Sequence, residues 1–289
     1  MPRVLIAGCG YTGAAVADLF AGHGWEVAGW TASALSAEAL AGKSYPVRAV
    51  DIAEPGQVRA QRREFDAVIH CASTGGGDAD LYRRVYRDGA RNLVDHFAGS
   101  IVLLTSSTSV YAQTSGEWVT EKSAAEPLHE KGKILRETEE LVLNGGGIVT
   151  RLAGIYGPRR SALLEKFQKG ETTLDARADR FVNQVHRDDI AQALFLLLKG
   201  KPPAGEIFNV VDDEPLRLSE CYGWLARMLP APHPPPGGKP DVARKRGNSN
   251  KRVSNAKLRG LGWAPRYFCF AEAMQKSILP SYEIVTNKA

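Results

Sequence analysis

Three glycines, Gly8, Gly10 and Gly13, stand between an apolar run of strand length and an apolar run of helical spacing. The run before them is Val4 to Ala7 and the run after them is Ala14 to Phe20. Gly22 and Gly24 then precede a second apolar strand, Trp25 to Trp30. Strand, glycine turn, helix and strand within about thirty residues make a βαβ unit. Each glycine has a physical task there. Gly8 permits the tight bend, Gly10 lets backbone amides approach a diphosphate, and Gly13 lets the helix lie close on the sheet. The start of the helix, at Tyr11 and Thr12, offers unpaired N–H donors and a partial positive charge to an anion. The chemistry expected is capture of a dinucleotide by its diphosphate.

The next position of interest faces the ribose. In such folds an Asp or Glu ends the second strand, about twenty residues past the glycines, and accepts from the 2′-hydroxyl. Here that place falls on Thr31, with Ser33 just beyond. With no acid there a 2′-phosphate is not repelled. Thr31 and Ser33 are able to donate to it, and Lys43 and Arg48 are nearby cations. NADP is the expected cofactor, with NAD as the alternative.

These residues need a scaffold. Apolar, β-rich runs recur at Val47–Val50, Ala67–His70, Ile101–Thr105, Ile148–Leu152 and Ile207–Val210, with helical patterns between them. That alternation predicts an α/β fold, a doubly wound parallel sheet with helices on both faces. A short helical segment follows Asp51 and Ile52 and runs to Arg63. Leu81–Phe97 is read as one amphipathic helix with Leu81, Val85, Leu93, Val94 and Phe97 on its apolar side. Lys131–Leu143 is another, and the two are available for pairing subunits in a homodimer. Leu216–Leu229 is helical, and the proline-rich stretch 230–240 cannot be helix or central strand. The organisation expected is a dinucleotide-binding domain over 1–157, rejoined by 181–212, with a smaller substrate-binding part in 158–289.

Composition narrows the function classes. Of 289 residues 44% are hydrophobic and 24% charged, ordinary for a globular chain with a sizeable core. Net charge is +5, which suits an anionic small molecule, and basic residues do not interleave with aromatics as a nucleic-acid surface requires. Cys9, Cys71, Cys221 and Cys269 are far apart with no metal-ligand spacing, so free thiols in a reducing compartment are expected, and no metal. The first strand starts at once and the longest apolar stretch, Ile190 to Leu198, is too short for a bilayer. The expectation is a cytoplasmic protein without membrane or nucleic-acid partners.

Further segments act together with the glycine turn. They are Phe65-Asp-Ala-Val-Ile-His-Cys-Ala-Ser73, Leu104-Thr-Ser-Ser-Thr-Ser-Val-Tyr-Ala112, Arg151-Leu-Ala-Gly-Ile-Tyr-Gly-Pro158 and Val185-His-Arg-Asp-Asp-Ile-Ala191. In this order they resemble the extended short-chain dehydrogenase/reductase superfamily, the NAD-dependent epimerase/dehydratase group, from about Val4 to Trp263. The Gly-x-Gly-x-x-Gly spacing departs from that group's commoner Gly-x-x-Gly-x-x-Gly.

The resemblance implies roles position by position. Ser107 matches the serine that hydrogen-bonds the substrate oxygen. Asp51 and Ile52 match the pair flanking the adenine. Cys71, Ala72 and Ser73 match the strand end lining the cofactor, and Tyr156, Gly157 and Pro158 match the loop behind the nicotinamide. At the group's Tyr-x-x-x-Lys pair, Lys133 takes the lysine position and would hold the nicotinamide ribose. His129 stands in the tyrosine's place. An imidazole titrating near neutrality is able to do acid–base work, and a neighbouring lysine favours its neutral form. A surface histidine is the other reading, and Tyr111 competes for the proton-transfer role. Lys239, Arg244, Lys245, Arg246, Lys251 and Arg252 lie where sugar-nucleotide epimerases close over substrate, a solvated basic loop being the alternative.

The activity implied is hydride transfer between a nicotinamide and a carbinol or carbonyl carbon of a small-molecule substrate such as a nucleotide sugar, by an oxidoreductase or epimerase. A catalytically degenerate NADP-binding regulator and a reductase of a small carbonyl compound are its rivals.

Overall fold

The computed structural model describes residues 1–171, 179–200, 203–229 and 249–282. Seven parallel strands form the central sheet, in the spatial order Ile207–Val210, Ile148–Leu152, Ile101–Ser107, Ala67–His70, Arg3–Ala7, Glu26–Thr31, Val47–Ala49. The chain winds outward in one direction from Arg3–Ala7 and then, from Ala67–His70, in the other. The crevice beyond the carboxyl ends of those two strands is a topological switch point, the place where open α/β sheets take ligands. The fold is Rossmann-like, as the alternation of strands and helices predicts.

The pleat explains why the strands are apolar throughout. Successive residues face opposite sides. Val4, Ile6 and Ile69 join one core with Val16, Ala17 and Phe20 of helix Tyr11–Gly22 and Ile190, Leu194 and Leu197 of helix Arg187–Leu198. Leu5, Ala7 and Val68 join the other with Ala90 and Leu93 of helix Gly89–His96 and with Phe97. A third core gathers Tyr156, Leu164, Phe167, Tyr222, Leu225, Phe270 and Met274 beyond the sheet.

Two predicted elements differ in detail, and one strand pair was not predicted. Leu81–Phe97 is not one regular helix but Ala79–Arg83, a π turn over Arg84–Asp88, and Gly89–His96. The wide turn shifts the helix face, so Leu81, expected inside, is 38% exposed. Leu216–Arg217 pairs as a short strand with Phe181–Val182 before helix Leu218–Met228 begins. Strand Gln184–His186 pairs with Gly154–Tyr156, outside the main sheet. The proline-rich stretch lies outside the described residues, as do Lys239, Arg244, Lys245 and Arg246. No helix among the described residues is long and apolar enough to cross a membrane.

Candidate cofactor and active site

Gly8 and Gly13 are forced by close approach. Gly8 has φ +101°, and a Cβ there would lie 2.1 Å from the Ala72 backbone nitrogen. A Cβ on Gly13 would lie 2.2 Å from the Gly8 carbonyl oxygen. Gly10 is different, because a Cβ there would meet nothing within 4 Å. Its open side is the side a ligand would approach. The Gly8 and Cys9 amides donate to the Trp30 carbonyl at 3.0 and 2.7 Å, and the Gly10 amide donates to Gly8 at 2.8 Å. The amides of Tyr11, Thr12 and Gly13 have no acceptor among the described residues. Gly10 at the N-cap supplies no side chain, and the first turn holds no acid. The geometry therefore fits a diphosphate: three free donors, a positive helix end and an unfilled approach. Cys9 is fully buried and its thiol is pushed up to about 11 by that burial, so it packs as a neutral side chain.

Around this cradle the expected cofactor residues are placed unevenly. Ala72 lies directly beneath Gly8, and the Cys71 amide donates to the Ala7 carbonyl at 2.8 Å. Ser73 is exposed at the strand's end. Thr31 is buried and donates to the Ser33 carbonyl at 3.0 Å, while the Ser33 hydroxyl caps the Ser36 amide at 3.3 Å. Lys43 is committed to Asp18 at 2.7 Å, which leaves Arg48 as the exposed cation of that corner. The Asp51 carboxylate is paired with Arg84 at 2.6 Å, and Ile52 is buried in the second core. Tyr11 is drawn to the Tyr-Gly-Pro loop, its hydroxyl donating to the Pro158 carbonyl at 3.0 Å. The guanidiniums of Arg160 and Arg187 lie 5.0 and 4.8 Å from its ring. Tyr156 corrects its expected role. Its side chain is fully buried in the third core, its hydroxyl without a hydrogen-bond partner among the described residues, and is not exposed beside the cradle.

The proton-transfer end requires more correction. Ser107 closes strand Ile101–Ser107, half-buried, its oxygen accepting from the Ser109 amide at 3.1 Å and its own proton left to donate. Tyr111, the other candidate for proton transfer, has its hydroxyl committed within the fold. It is fully buried, donates to Asn209 at 2.9 Å and accepts from Arg151 at 2.9 Å. Arg151 is in turn held by Glu139 at 2.7 Å, and Ser106 donates to the same carboxylate at 2.6 Å. This is a buried polar network with each partner satisfied, which ties helix Glu130–Asn144 to the sheet.

That tie sets the helix rotation. Its inward face carries Gly132, Ile134, Leu135, Thr138, Glu139 and Val142. Lys133 lies six residues before Glu139, about 120° away around the helix, and so stands off the inward face. It is exposed and borders a surface groove with Pro127, Leu128, Arg136 and Glu140. His129 is the exposed N-cap. The structure therefore leaves His129 and Lys133 exposed, off the helix face that packs on the sheet, whereas the register expected from sequence puts them at the site. Lys131 reaches the loop after strand Ala67–His70: its ammonium donates to the Gly77 carbonyl at 2.5 Å and lies 5.7 Å from the centre of the Tyr82 ring. Gly77 belongs to the loop that continues from Cys71–Ser73. In the sequence, Glu130-Lys-Gly-Lys133 offers two lysines, and spacing alone does not choose between them.

A Rossmann-like sheet with an open diphosphate cradle at its switch point defines a dinucleotide-binding protein of the α/β class. The profile of the NAD dependent epimerase/dehydratase family matches residues 4–210, and the chain belongs to that family. It is 30% identical over 240 residues to Protein YeeZ of Escherichia coli (strain K12), covering 79% of this chain and 84% of the relative. A functionally unknown conserved protein from Silicibacter pomeroyi DSS has a similar structure, with TM-score 0.78 and 26% identity over 95% of this chain and 97% of that one. The UDP-glucose 4-epimerase of Thermus thermophilus, solved with NAD, shares the fold at TM-score 0.81 and 23% identity, covering 94% and 96% of the two chains.

Proposed function

We propose that the chain binds a pyridine nucleotide in the Gly8–Gly13 cradle and acts by hydride transfer at a carbinol or carbonyl carbon, as an oxidoreductase or epimerase. The observation that carries this reading is the set of three unengaged amides, Tyr11, Thr12 and Gly13, beside the open flank of Gly10. When bound, the nicotinamide would supply and take back a hydride. Ser107 would donate to the substrate oxygen. Lys131, tethered beside the cofactor-lining strand end, would be the cation of the site and help hold the nicotinamide ribose. A nucleotide sugar is the favoured substrate, since structural neighbours include enzymes solved with UDP-glucose.

NADP is favoured over NAD because residues 31–33, Thr-Ala-Ser, place no carboxylate at the end of the second strand, and Arg48 stands exposed on the adjacent one. Fluorescence titration with NADH and NADPH tests the reading, with 2′,5′-ADP and 5′-AMP as competitors. The expected result is saturable binding, with 2′,5′-ADP competing about tenfold better, a difference of about 1.4 kcal/mol. Equal competition would favour NAD, and no binding of either nucleotide, oxidised or reduced, would sink the proposal. A binder without turnover is the second reading, favoured by the outward placement of His129 and Lys133. It predicts cofactor binding with no hydride exchange into any nucleotide sugar.

A further inference from the structure

A lysine without a counter-ion among the described residues is buried beside the serine-bearing turn. Lys251 is 5% exposed, and its ammonium donates to the Tyr111 carbonyl at 2.9 Å, at the end of the turn that Ser107 begins. An ammonium has three N–H donors, and two of them have no acceptor among the described residues. Its position is stiff. The Asn183 side-chain amide donates to the Lys251 carbonyl at 2.9 Å, while its oxygen accepts from the Val253 amide at 2.8 Å. The preceding Asn250 amide donates to the Gln113 carbonyl at 2.9 Å.

The electrostatic surroundings offer it little. Burial and the charge of Arg180 lower the Lys251 pKa to about 8, leaving it protonated at neutral pH. Glu117 supplies some opposing charge, but its carboxylate is engaged with the Ser115 amide and hydroxyl at 3.0 and 2.8 Å. Gln113, two residues beyond Tyr111, has a buried side-chain oxygen with no partner, while its nitrogen donates to the Ala124 carbonyl at 2.9 Å. One corner of the fold thus holds a buried cation with donors to spare and an acceptor with nothing to accept, among the described residues. Buried groups of this kind destabilise a fold unless something pairs with them.

We propose that Lys251 anchors a carboxylate carried by the sugar portion of the substrate, with Gln113 accepting from a neighbouring hydroxyl. The inference rests on the nucleotide-sugar reading above and narrows it from neutral sugars to sugar acids. The same ammonium would also attract a nucleotide diphosphate, and a matched ligand pair separates the two sources.

The test is calorimetric titration of the full chain, with saturating NADPH or NADH, by UDP-glucuronate and by UDP-glucose. Both carry the diphosphate and only one carries the carboxylate. UDP-glucuronate is expected to bind at least about tenfold more tightly at pH 7, and Lys251→Met to abolish that preference. Equal binding of the pair, or a preference that survives Lys251→Met, overturns the carboxylate assignment. Equal weakening of both ligands by the variant would mark the diphosphate as the true contact and also overturn it. If neither nucleotide sugar binds, the nucleotide-sugar reading fails and thermal unfolding of the unliganded proteins decides the role of the charge. A charge kept for a ligand predicts a higher melting temperature for Lys251→Met than for the parent. A lower one would make the ammonium a structural strut and end the proposal.

Discussion

The cradle at Gly8–Gly13 and the helix start at His129–Lys133 read in the sequence as two halves of one site, and in the structure they behave differently. The cradle is made of backbone. Its donors are amides whose directions follow from the strand–turn–helix path, and Gly8 and Gly13 are required because a Cβ there would come within 2.1 and 2.2 Å of neighbouring backbone. The helix start is made of side chains. Where they point depends on how helix Glu130–Asn144 is rotated, and that is decided two turns away by the buried pair of Glu139 and Arg151. A backbone site is written locally in the chain, whereas a side-chain site on a helix inherits its orientation from distant packing.

Substitutions at the cradle should cost most. Gly8→Ala would force a Cβ into the Ala72 backbone and an L-residue into φ +101°. Loss of pyridine-nucleotide binding together with a large fall in thermal stability is expected, read by fluorescence titration and calorimetry. Gly10→Ala has room for its methyl group, so the fold should be retained while the nucleotide binds more weakly. If Gly10→Ala bound normally, the open flank would not be the diphosphate side and the contrast drawn above would collapse.

Breaking the pair that sets the helix should come next. Glu139 and Arg151 are both buried, so Glu139→Gln leaves a desolvated guanidinium short of its counter-charge. Removal of one partner of a buried pair costs about 3–5 kcal/mol. Denaturant unfolding of Glu139→Gln should approach that range, with Tyr111→Phe costing about 1–3 kcal/mol because Arg151 and Asn209 lose a shared partner. A negligible effect of Glu139→Gln would mean that something else holds the rotation of the helix.

The same distinction explains how much the chain discloses unaided. The parallel sheet is legible because strands buried on both faces must be apolar throughout, as Val4 to Ala7 and Ala67 to Ile69 are. The glycine turn is legible because a Cβ at Gly8 or Gly13 would collide with neighbouring backbone. The position of Ser107 at a strand end follows from its neighbours. Which lysine meets the loop after strand Ala67–His70 was not legible. Lys131 and Lys133 differ by two residues, and the choice lay in Glu139 and Arg151, whose pairing spans a helix and a strand. The role of Tyr111 was hidden likewise, since its partner Asn209 is 98 residues away. Lys251 looked like one of a solvated basic run, and only the strand pairing of Arg252–Val253 with Trp118–Val119 shows why it is enclosed.

Lys251 gives the comparison a pH dependence. Its pKa is about 8 in the folded chain against an ordinary 10.5, so between these values the unfolded chain binds more protons than the native one. Stability from this group therefore rises as pH increases through that window and is at its lowest below pH 8. The span corresponds to about 3 kcal/mol as an upper figure. Subtracting the profile of Lys251→Met from that of the parent isolates it from other lysines and tyrosines titrating near pH 10. A difference that is flat with pH would place the ammonium in contact with water.

The smallest effects should fall on the helix start, and they sharpen the contrast most. His129→Ala and Lys133→Ala remove exposed side chains that make no hydrogen bond or ion pair among the described residues. Each should change unfolding free energy by no more than about 0.5 kcal/mol and leave nucleotide affinity unchanged. Lys131→Ala removes the tether to Gly77, which holds the loop behind the cofactor-lining strand end. It should weaken nucleotide binding several-fold while barely moving the unfolding midpoint, because the lost contact is exposed. If Lys133→Ala impairs binding and Lys131→Ala does not, helix Glu130–Asn144 turns its other side to the cofactor in solution. The dominance of the Glu139–Arg151 pair over its rotation would then be wrong.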